Sequence, residues 1–115
     1  MRSLPYQRFW LNLLGLDKYS IRYVKVNHRG VLDTETGRLN NSFVGCWMDR
    51  GQAVVWILHT RKLTEADLLH EFICQLHQDF VHQDIDPLCE KLIAARVEGN
   101  AQNLIRRHKL GLSRS

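Results

Sequence analysis

The sequence predicts an α+β domain, in which a small antiparallel sheet of three to four strands follows an N-terminal helix and is packed by one long and two shorter C-terminal helices. Two local signals carry this prediction. Residues 43–48 and 53–59 form a clear pair of apolar strand-like runs, joined by a short connection that contains Gly51. Residues 64–67, Thr-Glu-Ala-Asp, then match the capping box that opens a helix. A chain of 115 residues with 44% hydrophobic residues fits one domain, spanning 1–115.

The N-terminal half contains the predicted first helix and the strands. Apolar residues recur at helical spacing over 5–14, with Pro5 suited to a first turn and Gly15 to a stop. Residues 19–26 are dense in β-branched and aromatic side chains and predict a strand, whereas 31–41 predict a loop or a short irregular hairpin. The strand at 53–59 is apolar on both faces, which predicts a central strand that is covered on both sides or at least deeply buried, with helices over more than one surface of the sheet.

The C-terminal half is helical. The capping box predicts a helix that runs to about residue 80. Asp86-Pro87 has the pattern of a second helix start, with Asp86 as the cap, and Gly99-Asn100 ends that helix. A last short helix over 101–110 stops at Gly111.

Composition restricts the class of protein. Three cysteines at wide spacing do not suit a disulfide framework and favour a reducing compartment. We found neither a signal-peptide pattern nor a run of about 18–20 apolar residues, so the sequence predicts a cytoplasmic protein without a membrane partner.

Charge is segregated along the chain. Residues 1–62 carry ten Lys and Arg against four Asp and Glu, residues 63–100 carry two against eight, and residues 101–115 carry four against none. Such segregation has two interpretations. The basic parts could attract a polyanion, or the basic and acidic parts could neutralise each other within the fold.

The stretch HEFICQLH at 70–77 resembles half of a zinc-protease signature. In that signature two histidines four residues apart bind the metal, and the Glu between them activates water. Here Cys74 takes the place of the second histidine, and His70, Cys74 and His77 fall on one stripe of the helix. The stripe borders the apolar face and lacks a fourth ligand at a recognised spacing. The sequence therefore predicts no metal, no cofactor and no enzyme, with these three residues as the alternative metal candidates.

Two functions of different class remain. The first is nucleic-acid binding of a regulatory kind, with phosphates contacted by a basic tail (106–115) and by cations of the sheet region, and with Tyr19, Tyr23 and Trp47 as stacking platforms. The predicted phosphate-binding residues are Arg106, Arg107, Lys109, Arg114, Arg22, Lys25, Arg61 and Lys62.

The second function is a protein-interaction adaptor or inhibitor, which could act as a homodimer. It would use exposed aromatic side chains and the acidic face of the capped helix. The residues on which it depends are Phe9, Trp10, Trp47 and Trp56 among the aromatics, and Glu65, Asp67, Glu71 and Asp79 among the acids.

Overall fold

The computed structural model describes residues 6–25 and 44–111, which form one three-stranded sheet and four helices. The elements are α1 (Gln7–Leu13), β1 (Ser20–Lys25), β2 (Val44–Asp49), β3 (Val54–His59), α2 (Glu65–Leu76), α3 (His82–Glu98) and α4 (Ala101–Arg107). The predicted α+β class is confirmed, with one helix before the strands and three after them. The expected loop or hairpin at 31–41 lies outside the described residues.

The sheet has the order β1-β3-β2 and is mixed, not purely antiparallel as the sequence analysis predicted. β2 and β3 form the expected antiparallel hairpin, in which Trp47 is opposite Trp56. β1 pairs with the other edge of β3 in parallel, with Arg22 opposite Trp56. The 18 residues between β1 and β2 allow this arrangement, because a connection of that length can pass β3 and need not close a tight turn.

The hydrophobic core lies on one face of the sheet. On β3 the residues Val55, Ile57 and His59 are buried, and the residues that alternate with them are half-buried. The core joins this face to the apolar sides of the helices, where Trp10 of α1 and Phe72 of α2 are fully buried. The expectation that helices cover both faces of β3 was wrong for the described residues. The three-stranded sheet buries one face against the helical layer, mainly α2, and the apolar residues of the other face stay outside that core.

The start of α2 is confirmed in detail. Thr64 accepts a hydrogen bond from the backbone N–H of Asp67, and the Asp67 carboxylate accepts one from the backbone N–H of Thr64. The helix ends at Leu76, four residues earlier than predicted. Leu63, Leu68 and Leu69 beside the cap are buried, which fixes the angle at which α2 meets the sheet.

The start of α3 was predicted wrongly. The helix begins at His82, so Pro87 lies inside it and Asp86 is not the cap. Pro87 is the sixth residue of the helix, beyond the first turn, so α3 lacks the hydrogen bond that residue 87 would otherwise donate to the carbonyl of Gln83. Because Asp86 lies within α3 and does not cap it, its carboxylate can contact His70 of α2.

Candidate functional site

The basic end of α4 consists of Arg106, Arg107 and Lys109. α4 is anchored by buried Ala101 and Ile105, which leaves Arg106 and Arg107 on the solvent side of this short helix, and exposed Lys109 follows its last residue. Both arginines lie in the last turn, where positive charge complements the carboxyl end of the helix dipole. Within the described residues none of the three forms a salt bridge. Arg114, which the sequence analysis grouped with them, lies outside that range.

The cations of the sheet region do not share one environment. Arg22 and Lys25 on β1 and Lys62 after β3 are exposed. Arg61 instead donates two hydrogen bonds to the carboxylate of Asp67, at 2.6 and 2.8 Å. The hydrogen bonds to Asp67 raise the pKa of Arg61. Because Asp67 is the acid of the capping box, the guanidinium also holds the start of α2 in place.

The two acids in the first turn of α2 are occupied by partners from their own chain. Glu65 accepts hydrogen bonds from Arg96 of α3 at 2.8 and 3.0 Å and from the indole N–H of Trp10 at 2.6 Å. Asp67 is held by Arg61. These carboxylates neutralise neighbouring cations of the helical layer and the β3–α2 connection. The basic end of α4 is left out of that neutralisation.

The sheet face opposite the core presents large apolar side chains to solvent. We call it the open face; within the described residues it is formed by Ser20, Arg22 and Val24 of β1, Val54, Trp56 and Leu58 of β3, and Gly45, Trp47 and Asp49 of β2. Trp47 is 58% exposed and Val24 37%. The indole N–H of Trp56 is buried and has no hydrogen-bond partner among the described residues.

Two of the expected stacking platforms lie elsewhere. Tyr23 faces the core side, where its hydroxyl donates to the Gln7 side chain of α1, and Tyr19 packs against the core. Trp47 is on the open face as a stacking residue must be. Trp56, opposite it on β3, was not assigned this role from the sequence, because a strand apolar on both faces gave no sign of which face would stay uncovered.

The histidine stripe of α2 is divided among separate contacts. Nδ1 of His70 lies 2.7 Å from a carboxylate oxygen of Asp86 on α3. His77 accepts a hydrogen bond from the backbone N–H of Gly111 and stacks on Phe80. Burial raises the pKa of the Cys74 thiol to about 11. Across residues 6–25 and 44–111 there is no group of three or more His, Cys, Asp or Glu arranged to hold a metal ion.

Glu71 lies between two small cavities along the groove between β2 and α2. One cavity, of about 250 Å³, is shared with His70 and Asp86, and the other, of about 380 Å³, with Cys74. Burial raises the pKa of Glu71 to about 7, against a weaker opposing effect of His70. No local sequence pattern marks Glu71 as a buried carboxylate, because its burial and the contact of His70 with Asp86 depend on where α3 begins and packs.

Comparison of the chain with protein-family models, with curated proteins and with solved structures gave no match. Among the described helices, none is both long enough and apolar enough to pass through a bilayer.

Proposed function

We propose that this protein binds nucleic acid and contacts phosphates through the basic end of α4 and the exposed cations of the sheet. The observation that carries the proposal is the state of Arg106, Arg107 and Lys109. All three are exposed, and in the described part of the chain none is paired with a carboxylate. Cations of this kind can exchange their counterions for phosphates, which is the main source of sequence-independent affinity.

The distribution of ion pairs supports this proposal over internal charge neutralisation. The carboxylates with cationic partners take them from nearby elements: Glu65 takes Arg96, and Asp67 takes Arg61. Neither pair involves the basic end of α4. The exposed charges there would attract a polyanion, in competition with exposed acids such as Asp84, which lines a pocket together with His108.

The sheet adds a second group of cations. Arg22, Lys25 and Lys62 are exposed on β1 and after β3, whereas α4 packs mainly against α3 in the helical layer. The two basic groups thus belong to different layers of the domain. They can be tested separately by substitution, and Arg61 is expected to contribute least because Asp67 already holds its guanidinium.

A protein-interaction role is the second candidate, favoured by the exposure of Trp47 (58%) and Val97 (73%). Single exposed apolar residues are normal, but an apolar face several residues wide can hold a partner. The acidic surface predicted for this role has less support, since Glu65 and Asp67 are hydrogen-bonded to arginines of their own chain.

The test is the affinity for a generic duplex and for a single strand, measured at a low and a moderate salt concentration. We expect affinity that falls steeply with salt. A variant with Arg106, Arg107 and Lys109 all changed to Gln should bind more weakly, with the slope of log K against log salt reduced by about 2–3. Lys91→Gln is the matched control, because Lys91 is an exposed cation on the acidic α3.

Two results would refute the proposal. One is the lack of measurable binding to either nucleic acid at low salt. The other is a triple variant that binds as tightly as the parent protein, with the same salt slope.

A further inference from the structure

We propose that the open face binds a single-stranded nucleic acid, whose bases stack on Trp47 and Trp56 while Arg22 contacts the backbone. This inference rests on the proposed function and names the form of nucleic acid that the sheet would accept. It adds a surface that contacts the bases. The basic end of α4 does not provide such a surface, since its cations contact only phosphates.

The register of the sheet places the three side chains in one row. Arg22 of β1 and Trp47 of β2 are both direct partners of Trp56 of β3, from its two sides. Direct partners point to the same face of a sheet, and neighbouring strands are about 4.8 Å apart. The row therefore sets a guanidinium, a half-buried indole and an exposed indole side by side across the sheet.

The strands and their connections carry an excess of positive charge that would attract a polyanion. In residues 17–25 and 44–62 there are six Lys and Arg against two Asp and Glu, with Arg22 on the open face, Lys25 on the opposite face of β1 and Arg61 held by Asp67. The acid on the open face is Asp49, which accepts a hydrogen bond from the backbone N–H of Gln52 in the β2–β3 turn. An acidic protein surface would also be attracted, but the paired indoles beside Arg22 offer flat apolar area that suits the faces of bases.

The same features favour a single strand over a duplex. In a duplex the flat faces of the bases are covered by their neighbours, so an indole on a sheet cannot reach them. In a single strand the bases can separate and stack on aromatic side chains, and the backbone follows a basic surface. Val24 and Leu58 form an apolar border next to the row, which suits contact with sugars and base edges.

The experiment compares fluorescein-labelled oligothymidylate with the same strand annealed to oligodeoxyadenylate, at low salt, by fluorescence anisotropy. We expect the parent protein to prefer the single strand. Trp47→Ala should weaken single-strand binding by about 10-fold or more and leave duplex binding unchanged, whereas Trp47→Phe should retain most of the affinity because a phenyl ring still stacks. Phe9→Ala is the matched control, since Phe9 is an exposed aromatic residue of α1.

The outcomes separate this inference from the proposed function. Equal affinity for both ligands, with no effect of Trp47→Ala, would overturn single-strand stacking and leave nucleic-acid binding intact. A lack of binding to either ligand would overturn both, and the open face would then be examined as a protein interface. Trp47 is exposed, so its substitution should not unfold the domain; equal urea midpoints of parent and variant verify this.

Discussion

The carboxylate of Glu65 connects three helices, because it receives the Arg96 guanidinium of α3 and the Trp10 indole of α1 while it stands in the first turn of α2. The Arg96 guanidinium also lies 3.5 Å above the ring of Tyr6. Arg96 and Glu65 side chains are each only 15% exposed. This cluster positions the N-terminal helix against the rest of the domain.

We expect Glu65→Gln to lower the free energy of unfolding by about 2–3 kcal/mol, because it leaves the partly buried Arg96 without a counter-charge. The measurement is urea denaturation at neutral pH. Glu90→Gln removes an exposed carboxylate from α3 and should change stability little. Equal effects of the two substitutions would contradict the importance assigned to this cluster.

Asp67 should stabilise the fold at neutral pH and lose that effect in acid. Burial opposes its ionisation, but hydrogen bonds from Arg61 and from both the backbone and hydroxyl of Thr64 outweigh it and lower the pKa of Asp67 below its usual 3.8. The carboxylate therefore contributes stability above the unfolded-state pKa, and this contribution is lost as pH falls through the lower folded-state value.

Asp67→Asn is accordingly expected to cost about 1–2 kcal/mol at pH 7 and progressively less below about pH 4. Thermal unfolding from pH 2 to pH 7 provides the measurement. The exposed Asp79, changed to Asn, is the control and should show little of this dependence. A constant difference between Asp67→Asn and the parent protein at all pH values would refute the assignment.

Glu71 should have the opposite effect on the pH dependence of stability. Burial raises its folded-state pKa to about 7, above the ordinary 4.5, so the folded protein holds a proton that the unfolded chain has released. Stability should therefore decrease as pH rises from about 4.5 to 7, and the full cost is present above that range.

We expect Glu71→Gln to be more stable than the parent protein at pH 8, by about 1–3 kcal/mol, and similar to it near pH 4. Urea midpoints at the two pH values measure this difference. Glu90→Gln again serves as the control, and a Glu71→Gln variant that is less stable at pH 8 would show that the ionised carboxylate has a stabilising partner.

Two glycines with positive φ should differ in their tolerance of a methyl group. Gly99 ends α3 with φ of 81°, and a Cβ there would meet no atom within 4 Å. At Gly111, with φ of 92°, a Cβ would lie 2.9 Å from the backbone oxygen of Leu14, which cannot move without displacing the end of α1.

We therefore expect Gly99→Ala to cost about 1 kcal/mol, for the left-handed backbone alone, and Gly111→Ala to cost about 2–4 kcal/mol. Chemical denaturation of both variants under one condition tests the order. If Gly99→Ala proves the more damaging, the packing of residue 111 against α1 is not as described.

Local interactions explain what the sequence alone determined. The β2–β3 hairpin, the start of α2 at Thr64 and the existence of α4 follow from turn residues, caps and periodicity within a few positions. Each begins within a residue of its predicted start, although α4 ends at Arg107, three residues before the predicted end. The exposure of Arg106 and Arg107 also follows from helical periodicity, because Ala101 and Ile105 mark the buried side of the helix, whereas Lys109 lies beyond its last residue.

Tertiary structure decided what depends on distant partners. The parallel pairing of β1 with β3, the single covered face of the sheet and the start of α3 at His82 each depend on which segments pack together, and no local pattern encodes that choice. The same is true of charge: Arg61 and Arg106 are alike in the sequence, but Asp67 holds one and the other remains exposed. Burial and pairing are properties of the assembled core, so only the folded chain separates a structural cation from one available to a ligand.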